Sequence, residues 1–280
     1  MKSVLFSIGS FHIYGYGLMI ALGTLLAYFL AEYRAKRCGL NSDLVFGLVV
    51  TVLITGWAGA KLLYFITIWK EILKDPAIML NFSNGFVVYG GIICGFLGAF
   101  LYCRKKKAAL LPYSDLIMPS VALAQGFGRV GCLLAGCCYG IAWQGPLGIT
   151  FPAGSLAPSG TPLFPTQIFS AAFDIAMGLI LIAVSKKLRK SGQITALYLT
   201  CYSVGRFIIE FFRGDLERGA VGPLSTSQFI GIFTMAAGAA GLVLASRYGK
   251  PFAAAQSPSE ADPAPAEQPE AADGEEPRAQ

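Results

Sequence analysis

Seven long apolar stretches follow one another along the chain, and each is long enough to cross a membrane as a helix. A helix that spans the hydrocarbon core of a bilayer needs about 20 apolar residues, at about 1.5 Å of rise each. We place the predicted spans at 13–33, 44–68, 86–103, 114–138, 166–185, 193–213 and 225–246. The pattern predicts an all-α, polytopic integral membrane protein with seven transmembrane helices.

Lysine and arginine are concentrated in alternate connections between these stretches. Spans one, three, five and seven are followed by 13 basic residues, whereas the other ends carry five. Basic residues mark the cytoplasmic side of membrane proteins. The distribution predicts an N-terminus outside the cytoplasm and a C-terminus inside it, and an odd number of spans agrees with that orientation.

Composition separates the end of the chain from the rest. The chain is 55% hydrophobic and 14% charged, against about 25% charged residues in soluble domains. Residues 251–280 hold seven acidic residues and one basic residue, and they are rich in Pro and Ala. We predict a transmembrane domain at 1–250 and a disordered acidic cytoplasmic tail at 251–280. Because the basic residues elsewhere anchor loops, the net charge of +6 does not indicate nucleic-acid binding.

Four charged residues interrupt stretches that are otherwise apolar: Lys61, Arg129, Arg206 and Glu210. A charge at the centre of a membrane helix costs about 2.5–3.5 kcal/mol on insertion scales, so such a residue suggests a functional site. The predicted orientation brings these residues, together with Asp174, to the outer half of the bilayer. We therefore predict one shared site that opens to the outer leaflet.

Arg206 and Glu210 are four residues apart, so both project from one face of a helix. They could form a buried ion pair that only fixes helix packing. Alternatively, Glu210 holds the guanidinium of Arg206 while its remaining donors bind a phosphate, which suits the planar fork of arginine. Arg129 lies among several glycines that helix packing explains, but packing does not explain the arginine. We expect Arg129 to contact phosphate or glycerol.

Other features allow two interpretations each. Tyr16 and Tyr89 could be aromatic residues at the membrane interface or parts of the site, and Gly90 and Gly91 permit a kink or close approach of a ligand. The uncharged connection 139–165 could be an ordinary surface loop or a lateral gate at the lipid interface.

Cys132, Cys137 and Cys138 raise the question of a metal site or a disulfide. Zinc sites usually combine closely spaced cysteine pairs with further Cys or His ligands, and the only histidine, His12, lies in another part of the chain. This spacing favours small buried apolar side chains. We therefore expect no metal and no cofactor.

Several segments together resemble the bacterial prolipoprotein diacylglyceryl transferase family, over roughly 4–246. The resemblance is carried by LFSIGSFHIYGYGLM, SNGFVVYGGIICG, SDLIMPSVALAQGFGRVGCLLAGCCYG, LFPTQIFSA, YSVGRFIIEFFR and LSTSQFIGI, in the family's order. Members have seven helices, with the N-terminus outside and the C-terminus in the cytoplasm.

The resemblance implies transfer of sn-1,2-diacylglycerol from phosphatidylglycerol to the lipobox cysteine of a prolipoprotein, which forms a thioether and releases glycerol 1-phosphate. The implied partners are phosphatidylglycerol, prolipoprotein signal peptides with a lipobox, and membrane lipid, in the bacterial cytoplasmic (inner) membrane. The expected catalytic residues are Arg129, Arg206, Glu210, Tyr89 and Tyr16. The expected phosphatidylglycerol-binding residues are Arg129, Gly140, Lys61, Gly90 and Gly91.

The chain departs from the family pattern at four positions. Cys132 stands where the family has Asn, Cys137 where it has an acidic residue, Tyr89 where it has His, and Ser170 where it has Glu. The usual candidate for the general base is therefore missing. Tyr89 is the expected replacement, although a tyrosine hydroxyl accepts a proton only after losing its own.

A second class of function remains open on the sequence alone. A divergent homologue could act as a membrane thiol oxidoreductase through Cys137 and Cys138, or as a small-molecule transporter. A transporter favours polar residues at the bilayer midplane and broken helices in related halves, and this sequence has neither. An oxidoreductase requires a redox-active cysteine pair.

Overall fold

Helices make up most of the structure, a computed structural model that describes residues 4–8, 11–80, 85–188, 190–215 and 219–252. Seven helices in these ranges have 18–26 residues. The helices are α1 Gly15–Cys38, α2 Asp43–Thr67, α3 Trp69–Ile72, α4 Val88–Lys105, α5 Leu110–Ala135, α6 Thr166–Ser185, α7 Gln193–Glu210 and α8 Thr226–Tyr248, with a 3-10 helix at Pro76–Leu80. The predicted all-α class is confirmed.

Short antiparallel ribbons accompany the helices, and the sequence pattern did not predict them. The pairs are β1 Val4–Ile8 with β2 Phe11–Tyr14, β3 Ile149–Thr150 with β4 Pro162–Leu163, and β5 Ala220–Val221 with β6 Leu224–Ser225. The first ribbon leads directly into α1, and the third leads into α8. Two ribbons therefore end where a long helix begins.

Five of the described helices are long and apolar enough to cross a membrane: α1, α2, α5, α6 and α8. The other two long helices, α4 and α7, have 18 residues each. Large apolar side chains on several helices point away from the protein, with Phe29, Ile54, Phe96 and Phe233 at least 60% exposed. Since such a surface is stable in lipid and not in water, the chain is a polytopic membrane protein.

The helices pack mainly in neighbouring pairs: α2 on α4, α1 on α5, α5 on α6, and α7 on α8. Glycines permit the closest approaches. A side chain at Gly23 of α1 would come within 2.9 Å of the Phe127 side chain of α5. Backbone contact through small residues is typical of membrane helices, where lipid provides little hydrophobic drive for association. The glycines of α5 are thus partly explained by packing, although Gly128 borders open space.

Helices α5 and α7 each end three residues earlier than the apolar pattern predicted. Helix α5 stops at Ala135 because Gly136 adopts a left-handed conformation, with φ 76°, and its N–H bonds back to Cys132. Cys137 and Cys138 therefore follow the helix, although the predicted span extended to 138. Helix α7 ends at Glu210, and Arg213 lies beyond it in the connection that follows.

The two ends of the helix bundle differ in their charges. Basic residues occupy the last turns of α1, α4 and α8. Contacts at the same end join Arg34 to the Leu116 carbonyl and join Asp115 to the backbone N–H groups of Gly192 and Thr195. The opposite end holds the start of α1, α6 and α8 and the last turns of α5 and α7. The predicted site residues lie near that second end.

Candidate active site

Two arginines and two carboxylates form a chain of ion pairs that starts in the last turns of α7 and continues into the connection after it. Arg206 pairs with Glu210, as the spacing of four residues predicted. Glu210 also lies 3.8 Å from Arg213, which makes two hydrogen bonds to Asp215, of 2.8 and 2.5 Å. Because Glu210 lies between two guanidinium groups, its charge is shared and neither arginine is left without a carboxylate partner.

Helix α8 contributes a further contact to Arg206. Its Nη2 donates a hydrogen bond of 3.0 Å to the hydroxyl of Ser227 in the first turn of α8. That turn is itself fixed, since Ser225 and Gln228 form a capping box. The guanidinium of Arg206 is therefore held from two helices, and its orientation is set before any substrate binds.

Arg129 faces Asp174 across the contact between α5 and α6. The Nε of Arg129 is 3.9 Å from an Asp174 oxygen, a distance that permits ionic attraction but not a hydrogen bond. The Asp174 side chain is almost fully buried, whereas that of Arg129 is about one quarter exposed, at 23%. Asp174 also lies within electrostatic range of Arg206. This buried carboxylate thus links the two arginines that the sequence singled out.

A cavity of about 390 Å³ opens between α5, α6 and α7 and contains both arginines. Its volume falls in the range of small-ligand sites, about 300–1,000 Å³. Most of the remaining wall is aromatic or aliphatic. The lining residues are Arg129, Phe164, Phe169, Ser170, Phe173, Asp174, Tyr202, Val204, Gly205, Arg206, Ile208, Ile209 and Phe212. Two guanidinium groups in an apolar chamber suit an amphiphile with an anionic head.

The connection 139–165 closes one side of this cavity. Phe164 stacks on Phe169 of α6 and on Phe212, with ring centroids 5.0 and 4.9 Å apart, and Trp143 packs edge-on against Phe164. The backbone N–H of Gly140 bonds to the Phe164 carbonyl at 3.1 Å. A side chain at Gly140 would collide with the carbonyl oxygens of Phe164 and Phe212. Packing thus explains this glycine, and its predicted role in substrate binding stays a prediction.

Tyr16 and three cysteines lie beside Arg129. Tyr16 is in the first turn of α1, where it packs against Gly131 of α5, and it lies within electrostatic range of Arg129. The sulfur atoms of Cys132, Cys137 and Cys138 all lie within 4.8 Å of one another. The last turn of α5 and the connection after it therefore bring three thiols to the edge of the candidate site.

Lys61, Tyr89, Gly90 and Gly91 belong to a different helix pair, α2 and α4. Lys61 is buried, with its Nζ 5.0–5.2 Å from the ring centroids of Tyr64, Phe65 and Phe86 and 3.5 Å from the Gly85 carbonyl. Among the described residues, neither Lys61 nor Tyr89 lines the cavity that contains Arg129 and Arg206. The predicted site residues thus fall into two groups.

The close approach of α2 and α4 accounts for the paired glycines. A side chain at Gly90 would collide with the Gly59 backbone, and one at Gly91 would come within 3.0 Å of the Gly56 carbonyl. Tyr89, at the start of α4, is exposed. These contacts give both glycines a packing role and leave their contact with substrate as a prediction.

Several residues of the site were not among the predicted site residues. Asp174 was noted for its depth but not as the partner of Arg129, although its charge within an apolar stretch was the available signal. Ser227, Tyr202 and the aromatic wall gave no comparable signal, because hydroxyl and aromatic residues are common in membrane helices. Only the packing of α6, α7 and α8 brings them to the arginines.

Comparison with known proteins agrees with this class of site in a helical membrane protein. The family model described as Prolipoprotein diacylglyceryl transferase matches residues 3–244. A relative from Clostridium tetani, Phosphatidylglycerol--prolipoprotein diacylglyceryl transferase, is 50% identical over 238 residues, covering 85% of this chain and 95% of the relative.

Two further relatives carry related names. A protein of Clostridium perfringens, Phosphatidylglycerol--prolipoprotein diacylglyceryl transferase 2, is 49% identical over 239 residues, which are 85% of this chain and 93% of the relative. One from Dehalococcoides mccartyi is 33% identical over 235 residues, 83% and 89% of the two chains. The chain belongs to the prolipoprotein diacylglyceryl transferase family.

Proposed function

We propose that this chain transfers the diacylglyceryl group of phosphatidylglycerol to the cysteine thiol of a prolipoprotein lipobox, an early step of lipoprotein maturation. The observation that carries the proposal is the cavity in which Arg129 and Arg206 face an otherwise largely apolar wall, in a chain of this family. The phosphate head of a lipid requires the positively charged surface, and the first carbons of its acyl chains require the apolar surface.

The reaction explains why both arginines are needed. The thiolate sulfur forms a bond to a glyceryl carbon, the bond from that carbon to the phosphate oxygen breaks, and glycerol 1-phosphate leaves with the electron pair. Negative charge grows on the phosphate oxygens as this bond breaks. Guanidinium groups already fixed at those oxygens stabilise the transition state without reorganising.

Each carboxylate of the site positions an arginine. Glu210 and Ser227 orient Arg206, and Asp174 faces Arg129. Glu210 also pairs with Arg213, which pairs in turn with Asp215. Because Arg206 lines the cavity while Glu210 holds it, we interpret Glu210 as a support for the phosphate clamp and not as a purely structural ion pair.

The remaining predicted residues complete the proposed site. Tyr16, which lies within electrostatic range of Arg129, is a proposed contact to the glycerol head or the incoming thiol. Tyr89, at the position of the family's histidine, is the proposed general base. Lys61, Gly90, Gly91 and Gly140 are the proposed further contacts to phosphatidylglycerol, in addition to their packing roles.

We place the chain in the bacterial cytoplasmic membrane, with seven spans and the site at the outer leaflet. The basic ends of α1, α4 and α8 support an orientation with those ends in the cytoplasm. Helices α4 and α7 complete the seven spans, because each lies between two longer apolar helices that run the opposite way. The acidic tail at 251–280 is then cytoplasmic.

The direct test is a transfer assay with purified protein, phosphatidylglycerol and a synthetic lipobox peptide. Mass spectrometry should show a gain of one diacylglyceryl group on the peptide, while a peptide with serine in place of the lipobox cysteine should gain nothing. Replacing phosphatidylglycerol by phosphatidylethanolamine should abolish the gain. If well-folded protein leaves the cysteine peptide unmodified in phosphatidylglycerol vesicles, the proposed activity is wrong.

A further inference from the structure

The three thiols beside Arg129 form a compact cluster at the end of α5. Cys132 lies in the last turn of the helix, and the chain reverses at Gly136 so that Cys137 and Cys138 return to it. All three sulfur atoms lie within 4.8 Å of one another. The family has an asparagine and an acidic residue at the first two positions, so this chain carries sulfur where polar oxygen is usual.

The surrounding structure holds the thiols in place. The Cys137 N–H donates to the Cys132 carbonyl at 3.1 Å. Two buried side chains at the start of α6 fix the next peptide groups: Gln167 donates to the Cys137 carbonyl at 2.8 Å and Thr166 to the Cys138 carbonyl at 2.6 Å. Cys138 is also held in a left-handed conformation, with φ 57°, which non-glycine residues rarely adopt.

The spacing of the sulfur atoms suits a metal ion of the zinc class. Thiolates bound to one zinc ion at about 2.3 Å lie about 3.8 Å apart in a tetrahedral arrangement. The observed limit of 4.8 Å requires each sulfur to move by less than about an ångström, which small side-chain rotations supply. Three protein ligands leave one coordination position open, as in catalytic zinc sites.

The charges around the cluster also fit. Arg129 lies within electrostatic range of Cys132 and Cys138, and Arg213 within range of Cys138. Three thiolates and a divalent ion together carry one negative charge, and the two guanidinium groups lie close enough to attract it.

We propose that Cys132, Cys137 and Cys138 bind one zinc-class divalent ion as thiolates, and that its fourth position takes the cysteine thiol of the incoming prolipoprotein. The second half of this proposal rests on the proposed function. The substrate thiol displaces a metal-bound water and releases its proton to solvent, and the resulting metal-bound thiolate attacks the glyceryl carbon. In this proposal the metal, and not Tyr89, supplies the thiol activation that a general base supplies in relatives, so the metal and Tyr89 are alternatives for this step.

The first experiment tests the metal site without reference to activity. Protein carrying a histidine-free tag is reduced, freed of metal and titrated with cadmium, with the ultraviolet thiolate-to-cadmium charge-transfer band and bound metal per chain as readouts. We expect one cadmium per chain. Cys137→Ser and Cys138→Ser should lose most of the band, whereas Cys38→Ser, an exposed cysteine at the far end of α1, should bind as the parent does.

Three outcomes would overturn the metal site. The first is absence of the band in reduced, monodisperse wild-type protein, and the second is equal binding by the triple serine variant. Counting free thiols before and after reduction tests whether two of these cysteines form a disulfide instead. A cysteine pair that stays oxidised in freshly isolated protein, with no metal present, would also contradict the site.

The second experiment tests the fourth position. Cobalt replaces the metal, and its visible spectrum is followed while lipobox peptide is added. The cysteine peptide should shift the spectrum and the serine peptide should not. A spectrum unchanged by the cysteine peptide would overturn the thiol role, and so would normal transfer by a metal-free triple serine variant. Absence of transfer by metal-loaded protein would contradict the proposed function while leaving the metal site intact.

Discussion

At the scale of single residues, the site depends on how its buried charges are compensated. Arg206 is held by Glu210 and Ser227, and Glu210 keeps Arg213 as a second partner. Removing one guanidinium therefore leaves the carboxylate paired. The charge balance of the membrane domain should survive a substitution that removes the proposed phosphate contact.

Arg206→Ala should abolish measurable transfer without preventing membrane insertion. Loss of one preorganised donor to a developing oxyanion costs about 10²–10³ in turnover. Arg206→Lys should recover little of it, because a point charge cannot reproduce a bidentate fork. Turnover is measured beside detergent gel filtration, which reports folding. Near-normal transfer by a folded Arg206→Ala protein would exclude the clamp.

Tyr89→Phe tests the proposed base at the start of α4. If the hydroxyl takes the thiol proton, its removal should lower turnover by about 10²–10⁴, the usual contribution of a general base. Tyr89→His should retain or raise activity and move the optimum to lower pH, because imidazole is deprotonated at lower pH than phenol. The measurement is a pH–rate profile of the three proteins. An unchanged profile for Tyr89→Phe would restrict Tyr89 to packing and agree with thiol activation by metal.

Charge was the signal that sequence could supply at this scale. Arg206 and Glu210 form the ion pair that their spacing of four predicted, and Arg129 faces the same cavity. The aromatic wall and Ser227 could not be assigned, because their type is ordinary in a membrane helix and only tertiary packing gives them a role. The thiol cluster was disfavoured by its spacing, since the sequence does not show the reversal at Gly136.

At the scale of elements, glycines determine how closely α2 and α4 pack. A side chain at Gly90 would meet the Gly59 carbonyl and lie 2.6 Å from the Leu63 side chain. The backbone of a neighbouring helix cannot move aside as a flexible side chain can. Gly90 is therefore a position where even one methyl group is too large.

Gly90→Ala should lower the thermal midpoint of unfolding, since overpacking costs about 1–3 kcal/mol. Gly17→Ala is the matched control, because it adds the same methyl group in a helix where it meets open space. That control should leave the midpoint unchanged or raise it, given the higher helix propensity of alanine. Both are measured by differential scanning fluorimetry in detergent. Equal thermal midpoints for the Gly90→Ala and Gly17→Ala proteins would mean that α2 and α4 can move apart without a loss of stability.

The apolar runs predicted each long helix to within a few residues, because a membrane helix must be apolar over its whole length. Helix α6 has the predicted bounds, 166–185. The end of α5 was placed too late because polarity does not change there but backbone geometry does. The ribbon of β1 and β2 was not predicted: its last two residues fell inside the first predicted span, and the others were assigned to no element.

At the scale of the whole molecule, the chain separates a basic end from the end that holds the candidate site. The basic last turns, the Asp115 contacts and residues 250–252 share one end. Composition could predict this division, because the positions of lysine and arginine in the connections follow the orientation of the chain in the membrane, whatever the helix packing. Composition could not predict which helices pack together, since that depends on where along each helix the small residues lie.

Truncation at the C-terminus tests where the membrane domain ends. Deleting 253–280 should leave both transfer and thermal midpoint unchanged, because the composition of this segment predicts disorder at the end opposite the site. Deleting 251–280 should also preserve transfer but lower the midpoint. Pro251 forms a bridge with Lys190, and Phe252 packs on the cluster that contains Leu40 and Tyr113.

The expected loss in the longer deletion is below about 3 kcal/mol, the upper value for burying a whole phenylalanine side chain, since Phe252 is only partly buried. Phe252→Ala in the full-length chain is the control, and it should reproduce most of the fall in the midpoint. Loss of turnover in a well-folded protein lacking 253–280 would show instead that the acidic tail contributes to the reaction. Equal midpoints for the two truncations would place the end of the stabilising domain before Pro251, at the boundary that composition predicted.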